Sequence, residues 1–133
     1  MYRLLILVGA AAAIFFAATQ LTAKGAPEGW VEYSPQALAT AQASGDPVVV
    51  DVFAPWCPTC RAQAPILDEL RQDERLADAT FIKVNFDNEK AFLRAHRIPR
   101  QSTILVFKGE TEVARSIAET NRTRLRAVVL NAI

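Results

Sequence analysis

Two cysteines, Cys57 and Cys60, are the residues whose type and spacing most directly indicate chemistry in this sequence. They lie in the segment Trp56-Cys57-Pro58-Thr59-Cys60, between a run of β-branched residues and a stretch with helical spacing. Two cysteines three positions apart at the start of a helix can close a small disulfide ring. The free N–H groups and the positive end of the helix dipole favour the thiolate of Cys57, so we expect its pKa to lie below that of a free cysteine.

We expect Cys60, one helical turn further along, to be more buried and to keep its proton. This difference predicts a nucleophile and a resolving thiol. Cys57 attacks a substrate disulfide, and Cys60 then breaks the mixed disulfide.

Two other uses of a cysteine pair are open at this point. A zinc site usually needs four protein ligands, and the chain has a single histidine, His96, and no third cysteine. A purely structural disulfide closing so short a loop would constrain little of the unfolded chain. A redox pair therefore fits the sequence better than either alternative.

The elements around the cysteines alternate between helix and strand, which predicts an α/β fold with a mixed sheet. Each element is indicated by its apolar spacing and by the turn or capping residues at its ends. In chain order the predicted elements are a short strand at Trp30–Tyr33, a helix from Ser34-Pro35 to Ala43, a strand at Val48–Phe53, a helix from Cys57 to about Leu76, a strand at Thr80–Phe86, a short helix capped by Asn88, a hairpin of Thr103–Lys108 and Glu112–Ser116, and a final helix carrying Leu125, Val128, Val129 and Ala132.

The N-terminal segment differs from the rest of the chain. Residues 4–23 carry no charge and follow a short basic start, which is typical of a signal peptide, and their length also reaches the roughly 20 residues that span a bilayer. We therefore expect residues 1–23 to be a signal peptide or a membrane anchor, with the anchor slightly favoured over a cleaved signal and a buried soluble helix as the third alternative. Residues 24–29 form a linker and residues 30–133 the folded domain. Either an anchor or a signal exports the domain to the periplasm or another extracytoplasmic space.

The composition narrows the function classes further. The chain has 133 residues, 51% of them hydrophobic, and a formal net charge of +1. That length predicts one domain after the N-terminal segment. The near-neutral balance argues against a nucleic-acid partner.

The segment VDVFAPWCPTC, with the later Pro65, Lys83 and FKGE, resembles the thioredoxin family over residues 30–133. The resemblance implies a thioredoxin-like fold, with a central mixed sheet flanked by helices. The uncharged run at residues 4–23 predicts a hydrophobic helix before this domain. The resemblance further implies that Asp51 is buried beneath the cysteines and accepts the proton of Cys60, and that Lys83 pairs with Asp51. A water-facing carboxylate and an exposed lysine are the structural alternatives for these two residues.

The resemblance also implies roles for the residues next to the cysteines. Trp56 would shield the thiols and contact substrate. Pro58 and Thr59, between the cysteines, would tune their pKa and reduction potential, and the family most often has Gly-Pro there. Pro65 would kink the active-site helix.

Two further departures concern the loops opposite the cysteines. Ser102, followed by Thr103, stands where the family has a cis-proline, unless a gapped alignment places Pro99 there. A cis bond without proline costs about 2.5–4 kcal/mol, so we expect either a trans bond or a strained one. Ser102 would leave the cysteines less shielded, and its hydroxyl would bond to substrate or water. Ala118 stands where the family often has glycine.

The sequence thus predicts an exported thiol-disulfide oxidoreductase that acts on disulfide-containing or dithiol proteins, more as a reductase than as an oxidant. It implies no cofactor and no metal, a membrane or soluble electron donor, and membrane contact through the N-terminal segment. The alternative is a non-catalytic thioredoxin-like binding module that holds a metal, a cluster or a client protein.

Overall fold

The computed structural model describes residues 26–133. The predicted hydrophobic helix at residues 4–23 lies outside the described residues. Within residues 26–133, none of the helices combines the length and the apolar character needed to cross a bilayer.

The described chain folds into one mixed five-stranded sheet with helices on both faces. The strands lie in the order β1-β3-β2-β4-β5; β3 runs parallel to β1 and β2, whereas β4 is antiparallel to β2 and β5. This confirms the predicted fold class. The elements are β1 (Val31–Glu32), α1 (Pro35–Ala43), β2 (Pro47–Phe53), α2 (Pro58–Arg71), β3 (Thr80–Asn85), α3 (Lys90–Ala95), β4 (Thr103–Lys108), β5 (Thr111–Ile117) and α4 (Arg122–Leu130).

The central strand β2 supplies both hydrophobic cores because its side chains alternate between the two faces of the sheet. Val48, Val50 and Val52 join the core that contains Leu38 of α1 and Phe92 of α3. Val49 joins the core under α2 and α4, together with Leu67, Leu70, Leu125 and Val129. Asp51, two residues after Val49, therefore lies on the face of the sheet that α2 covers.

Two predicted helix boundaries are wrong. The active-site helix ends at Arg71 and not near Leu76, because Asp73 adopts extended backbone and its carboxylate caps a separate 3-10 turn at Glu74–Leu76. Asn88 does not cap α3. Its N–H belongs to the preceding turn, where it donates to Asn85 O, and Glu89 occupies the N-cap position without a side-chain bond.

Helix α4 packs on α2 through Leu125 and Val129 in the core, and ion pairs surround its first turns at the surface. Three arginines in its first turns would by themselves oppose the helix dipole. Carboxylates offset this charge: Arg122 pairs with Glu69 at 2.6 Å, Arg124 with Glu119 at 2.8 Å and Arg126 with Asp73 at 2.9 Å.

Candidate active site

The cysteines lie where β2 passes into α2. Three consecutive carbonyls at this end of β2 anchor three loops: Val52 O accepts from Ser102 N at 2.8 Å, Phe53 O from Phe86 N at 2.8 Å, and Ala54 O from Cys57 N at 3.1 Å. The end of one strand thus positions the active-site turn and both loops beside it.

Cys57 is the N-cap of α2, and Pro58 takes the first helical position. Cys57 Sγ accepts the N–H of Cys60 at 3.1 Å. The two cysteines form a disulfide, with Cα atoms 5.3 Å apart. A sulfur that accepts a helix N–H is in the environment that favours thiolate once the disulfide opens.

The predicted burial of the two cysteines is wrong. Cys57 is fully buried, whereas Cys60 is partly exposed. The loop before β4 contributes to the burial of Cys57, because Ser102 lies against it with its Oγ 3.2 Å from the sulfur.

Ser102 is fully buried and has a left-handed backbone, with φ +66°. Every peptide bond within residues 26–133 is trans, so the trans alternative is the correct one at Ser102. Its Oγ lies 3.2 Å from Cys57 Sγ and 3.3 Å from Cys60 Sγ. The Ser102 hydroxyl thus lies beside both sulfurs, and Cys60 is still partly exposed next to it. That Ser102 shields the cysteines less than a proline would, and that its hydroxyl bonds to substrate or water, stay predictions. Pro99 is exposed and does not take this place.

Asp51 and Lys83 form the pair expected from the resemblance. Asp51 is 2% exposed, and Lys83 Nζ donates to its Oδ2 at 2.6 Å. Burial raises the pKa of Asp51, and the neighbouring Lys83 charge offsets this only in part. The other carboxylate oxygen, Oδ1, has no hydrogen-bond partner among the described residues. The water-facing alternatives for both residues are excluded by this geometry.

Aromatic rings hold Lys83 in place. Its ammonium lies 4.4 Å from the ring centre of Trp30 and 5.0 Å from that of Phe53. The side chain is 14% exposed and lines a cavity of about 330 Å³ together with Tyr33 and Glu89. Asp51 is therefore separated from this solvent-accessible cavity by a single charged group.

The remaining predicted residues are arranged around the disulfide. Trp56 is 56% exposed and donates from its indole N–H to Asp87 Oδ2 at 3.0 Å, so its ring is open to a partner. Pro58 is exposed and Thr59 partly so. Thr103 is buried, and its hydroxyl donates to Arg100 O at 2.8 Å within the loop.

Gln63 was missed by the sequence reasoning. It is fully buried in α2, and its Nε2 donates to Ser102 O at 3.3 Å and to Glu119 O at 3.0 Å. The signal was available, since Gln63 precedes Ile66, Leu67 and Leu70 with the spacing i, i+3, i+4, i+7 of the buried helix face. A polar residue on such a face needs buried partners.

The described residues contain no group of three or more histidine, cysteine, aspartate or glutamate side chains placed to hold a metal ion. The geometry is therefore suited to thiol–disulfide exchange by Cys57 and Cys60. A buried acid, Asp51, lies on strand β2 beneath the helix that begins at these cysteines.

Comparison with known proteins agrees with this geometry. The sequence model of the thioredoxin family matches residues 33–131. Thioredoxin-2 of Saccharomyces cerevisiae is 32% identical over 93 residues, which cover 69% of this chain and 88% of that protein. Thioredoxin 1 of a Nostoc species is 34% identical over 79 residues, 59% of this chain and 73% of that protein.

Solved structures give the same result. The crystal structure of Trxlp from Edwardsiella tarda superimposes with a TM-score of 0.70 at 43% identity, covering 74% of this chain and 97% of that one. Mitochondrial thioredoxin 3 of Saccharomyces cerevisiae, at 20% identity and a TM-score of 0.67, shares the fold over 77% of this chain and 94% of its own. The chain therefore belongs to the thioredoxin family and is a thioredoxin-type protein-disulfide oxidoreductase, which uses a redox-active cysteine pair and needs no cofactor.

Proposed function

We propose that this protein is an exported protein-disulfide reductase, held at the extracytoplasmic face of a membrane by residues 4–23. The uncharged run at residues 4–23 and the linker at residues 24–29 support export. Outside the cytosol, such a reductase needs a membrane or soluble electron donor to return the Cys57–Cys60 disulfide to the dithiol.

In the reaction, the Cys57 thiolate attacks one sulfur of a substrate disulfide, and the first substrate thiolate leaves. Cys60 then loses its proton and attacks Cys57 Sγ, which releases the second substrate thiolate and leaves the Cys57–Cys60 disulfide. Two electrons pass from the cysteine pair to the substrate disulfide. The Cys57 sulfur is suited to the first attack because it accepts the helix N–H of Cys60.

The observation that carries this proposal is the buried Asp51–Lys83 pair on the face of the sheet covered by α2. An acid with a raised pKa can take the Cys60 proton as the resolving thiolate forms and release it later. Lys83, which bonds to this acid, also lines the cavity, so solvent comes within one side chain of Asp51.

Exposed Trp56 supports a protein substrate, since a large aromatic ring beside the disulfide offers apolar contact to a partner surface. The substrate class is therefore a disulfide-containing protein rather than a small metabolite.

The attack order is tested by trapping. The reduced Cys60→Ser variant should accumulate a mixed disulfide with a disulfide-containing protein substrate, and the reduced Cys57→Ser variant should not. The test is needed because Cys57 is the more buried cysteine in the disulfide form. A mixed disulfide that accumulates with Cys57→Ser instead would mean that Cys60 attacks first, and it would overturn this part of the proposal.

Export and direction need separate experiments. A fusion of residues 1–29 to a reporter enzyme should appear in the membrane fraction on the extracytoplasmic side; a cytosolic reporter would refute export. The reduction potential of the pair, measured against glutathione, should lie near that of strongly reducing thioredoxins, about −270 mV, and a value near −120 mV would instead assign an oxidant.

A further inference from the structure

We propose that the Ser102 hydroxyl is a catalytic hydrogen-bond donor that stabilises the Cys57 and Cys60 thiolates in turn, and that Gln63 is the positioning residue that holds Ser102 there. This inference rests on the proposed two-step exchange, in which negative charge is carried first by Cys57 and then by Cys60.

The distances carry the first half of the proposal. Ser102 Oγ lies 3.2 Å from Cys57 Sγ and 3.3 Å from Cys60 Sγ, so it reaches both sulfurs without moving its Cα. A hydroxyl has one donor proton and turns freely about its C–O bond. It can therefore donate to whichever sulfur is charged. A hydrogen bond to a charged group is stronger than one to a neutral thiol, so this donation favours the thiolate.

The backbone of Ser102 is fixed by contacts that do not involve the sulfurs. Its N–H donates to Val52 O at 2.8 Å, and its carbonyl accepts from Ala118 N at 2.9 Å. The left-handed φ of +66° is unfavourable for a residue with a side chain, and such a backbone persists only where its surroundings hold it.

Gln63 is the side chain that links this corner to the cysteine helix. Its Nε2 donates to Ser102 O at 3.3 Å and to Glu119 O at 3.0 Å. Glu119 follows Ala118, the second left-handed corner, with φ +56°. The Gln63 side-chain amide thus bonds α2, the helix that begins at the cysteines, to the two loop segments with left-handed residues. A nonpolar side chain at position 63 would leave the carbonyls of Ser102 and Glu119 without this donor.

The chemical step needs no proton from Ser102. In the reduced protein the hydroxyl donates to the Cys57 thiolate. After the mixed disulfide has formed on Cys57, Cys60 gives up its proton, and the hydroxyl turns to the Cys60 thiolate until the Cys57–Cys60 bond closes. The proton released by Cys60 goes to the general base, and the electron pair goes to the departing substrate sulfur.

The main test compares Ser102→Ala with Ser102→Gly. Both remove the hydroxyl, but glycine accepts the left-handed backbone without strain, so an effect that the two variants share belongs to the hydroxyl. We expect the pKa of the Cys57 thiol, followed by thiolate absorbance, to rise by about one unit in both. The equilibrium with glutathione should shift about tenfold toward the disulfide, which corresponds to about 30 mV.

Ala118→Gly is the matched control, since it changes the neighbouring left-handed corner without removing a group that touches a sulfur. Its thiol pKa should stay at the wild-type value. An unchanged thiol pKa in both Ser102 variants would overturn the proposal, and so would an equal shift in Ala118→Gly.

Gln63→Leu tests the positioning role with a side chain of similar size. We expect the thiol pKa to rise in the wild-type background and to stay unchanged when the same substitution is added to Ser102→Gly. If the role of Gln63 is purely structural, Gln63→Leu should lower the melting temperature in both backgrounds, and its effect on the thiol pKa should not depend on Ser102. That result would refute the positioning role of Gln63.

These readouts are independent of the attack order. If trapping assigned the first attack to Cys60, the proposed order would fail, yet the Ser102 variants would still raise the pKa of the attacking thiol. Loss of the Ser102 effect with the attack order intact would overturn only the present inference.

Discussion

Asp51 and Lys83 face each other from neighbouring strands, with Asp51 paired to Lys83 in the register of β2 and β3 and Nζ 2.6 Å from Oδ2. A lysine at this distance favours the carboxylate, while burial disfavours it. Burial is the larger effect here, because Asp51 is 2% exposed and its Oδ1 accepts no hydrogen bond from the described residues, so the pKa of Asp51 is raised. The pair therefore keeps a protonatable acid inside the domain.

Replacing this acid should stabilise the protein at neutral and higher pH. The pKa of Asp51 is higher in the folded than in the unfolded chain, so the folded state binds the proton more tightly. The free energy of unfolding therefore falls as the pH rises from the unfolded-state pKa of Asp51 through its folded-state pKa. Asp51→Asn removes this loss. We expect its free energy of unfolding to exceed that of the wild type at pH values above the folded-state pKa of Asp51.

The same variant should resolve the mixed disulfide more slowly in single-turnover experiments, since the base for Cys60 is absent.

Denaturant unfolding at several pH values measures the stability difference between Asp51→Asn and the wild type, which should shrink on acidification. A difference that stays constant with pH would contradict a raised pKa at Asp51.

Lys83→Gln should move the pH dependence of turnover. The Lys83 charge lowers the pKa of Asp51, so its removal raises that pKa further, and the carboxylate form becomes available only at higher pH. We expect the rising limb of the pH–rate profile to shift to higher pH and the rate at neutral pH to fall several-fold. Lys108→Gln, which removes an exposed lysine from the far end of β4, should leave the profile in place. Equal profiles for the two variants would exclude an electrostatic role for Lys83.

His96 should make the domain sensitive to mild acid. The His96 ring packs on Phe92 and Phe107, with ring centres 4.3 and 5.5 Å away, and burial lowers its pKa. Glu112 opposes this shift and Arg115 adds to it. Since the unfolded chain takes up the proton first, stability is lost as pH falls from the ordinary histidine value near 6.5 toward the folded one.

His96→Gln should therefore lose less stability than the wild type between about pH 7 and about pH 5. The chain has one histidine, so its imidazole signals in NMR report this titration without overlap. Parallel pH–stability curves for the two proteins would refute the assignment.

Ala118→Gly should stabilise the fold. Ala118 has φ +56°, and a left-handed backbone costs a residue with a Cβ about 1–2 kcal/mol. Glycine removes that cost but adds freedom to the unfolded chain, so we expect a net gain of about 0.5–1 kcal/mol in denaturant unfolding. Ala114→Gly, in the middle of β5, should instead destabilise, because glycine only weakens a strand there.

The sequence was sufficient for the parts of the fold that depend on local pattern. Four valines in β2 predicted a strand buried on both faces, and the apolar spacing of Ile66, Leu67 and Leu70 predicted the inner face of α2. Asp51 and Lys83 were identified from the resemblance, since each lies at a fixed place in a regular strand.

The parts that failed depend on contacts between distant segments. The left-handed backbone of Ser102 is held by Val52, Ala118 and Gln63, none of which is near it in sequence. The same loop, 45 residues further along the chain, contributes to the burial of Cys57. Local sequence propensity does not predict contacts between distant segments. The order of burial predicted for the two cysteines was therefore wrong.

The three consecutive carbonyls at the end of β2 have a consequence for how the site moves. Local opening occurs in cooperative units, and the amides of Ser102, Phe86 and Cys57 all depend on the same short stretch of backbone. We therefore expect the three loops to open together whenever the backbone from Val52 to Ala54 is disturbed. Their amide protons should exchange with solvent at similar rates, and a substrate that orders the active-site turn would also slow exchange in the two loops beside it.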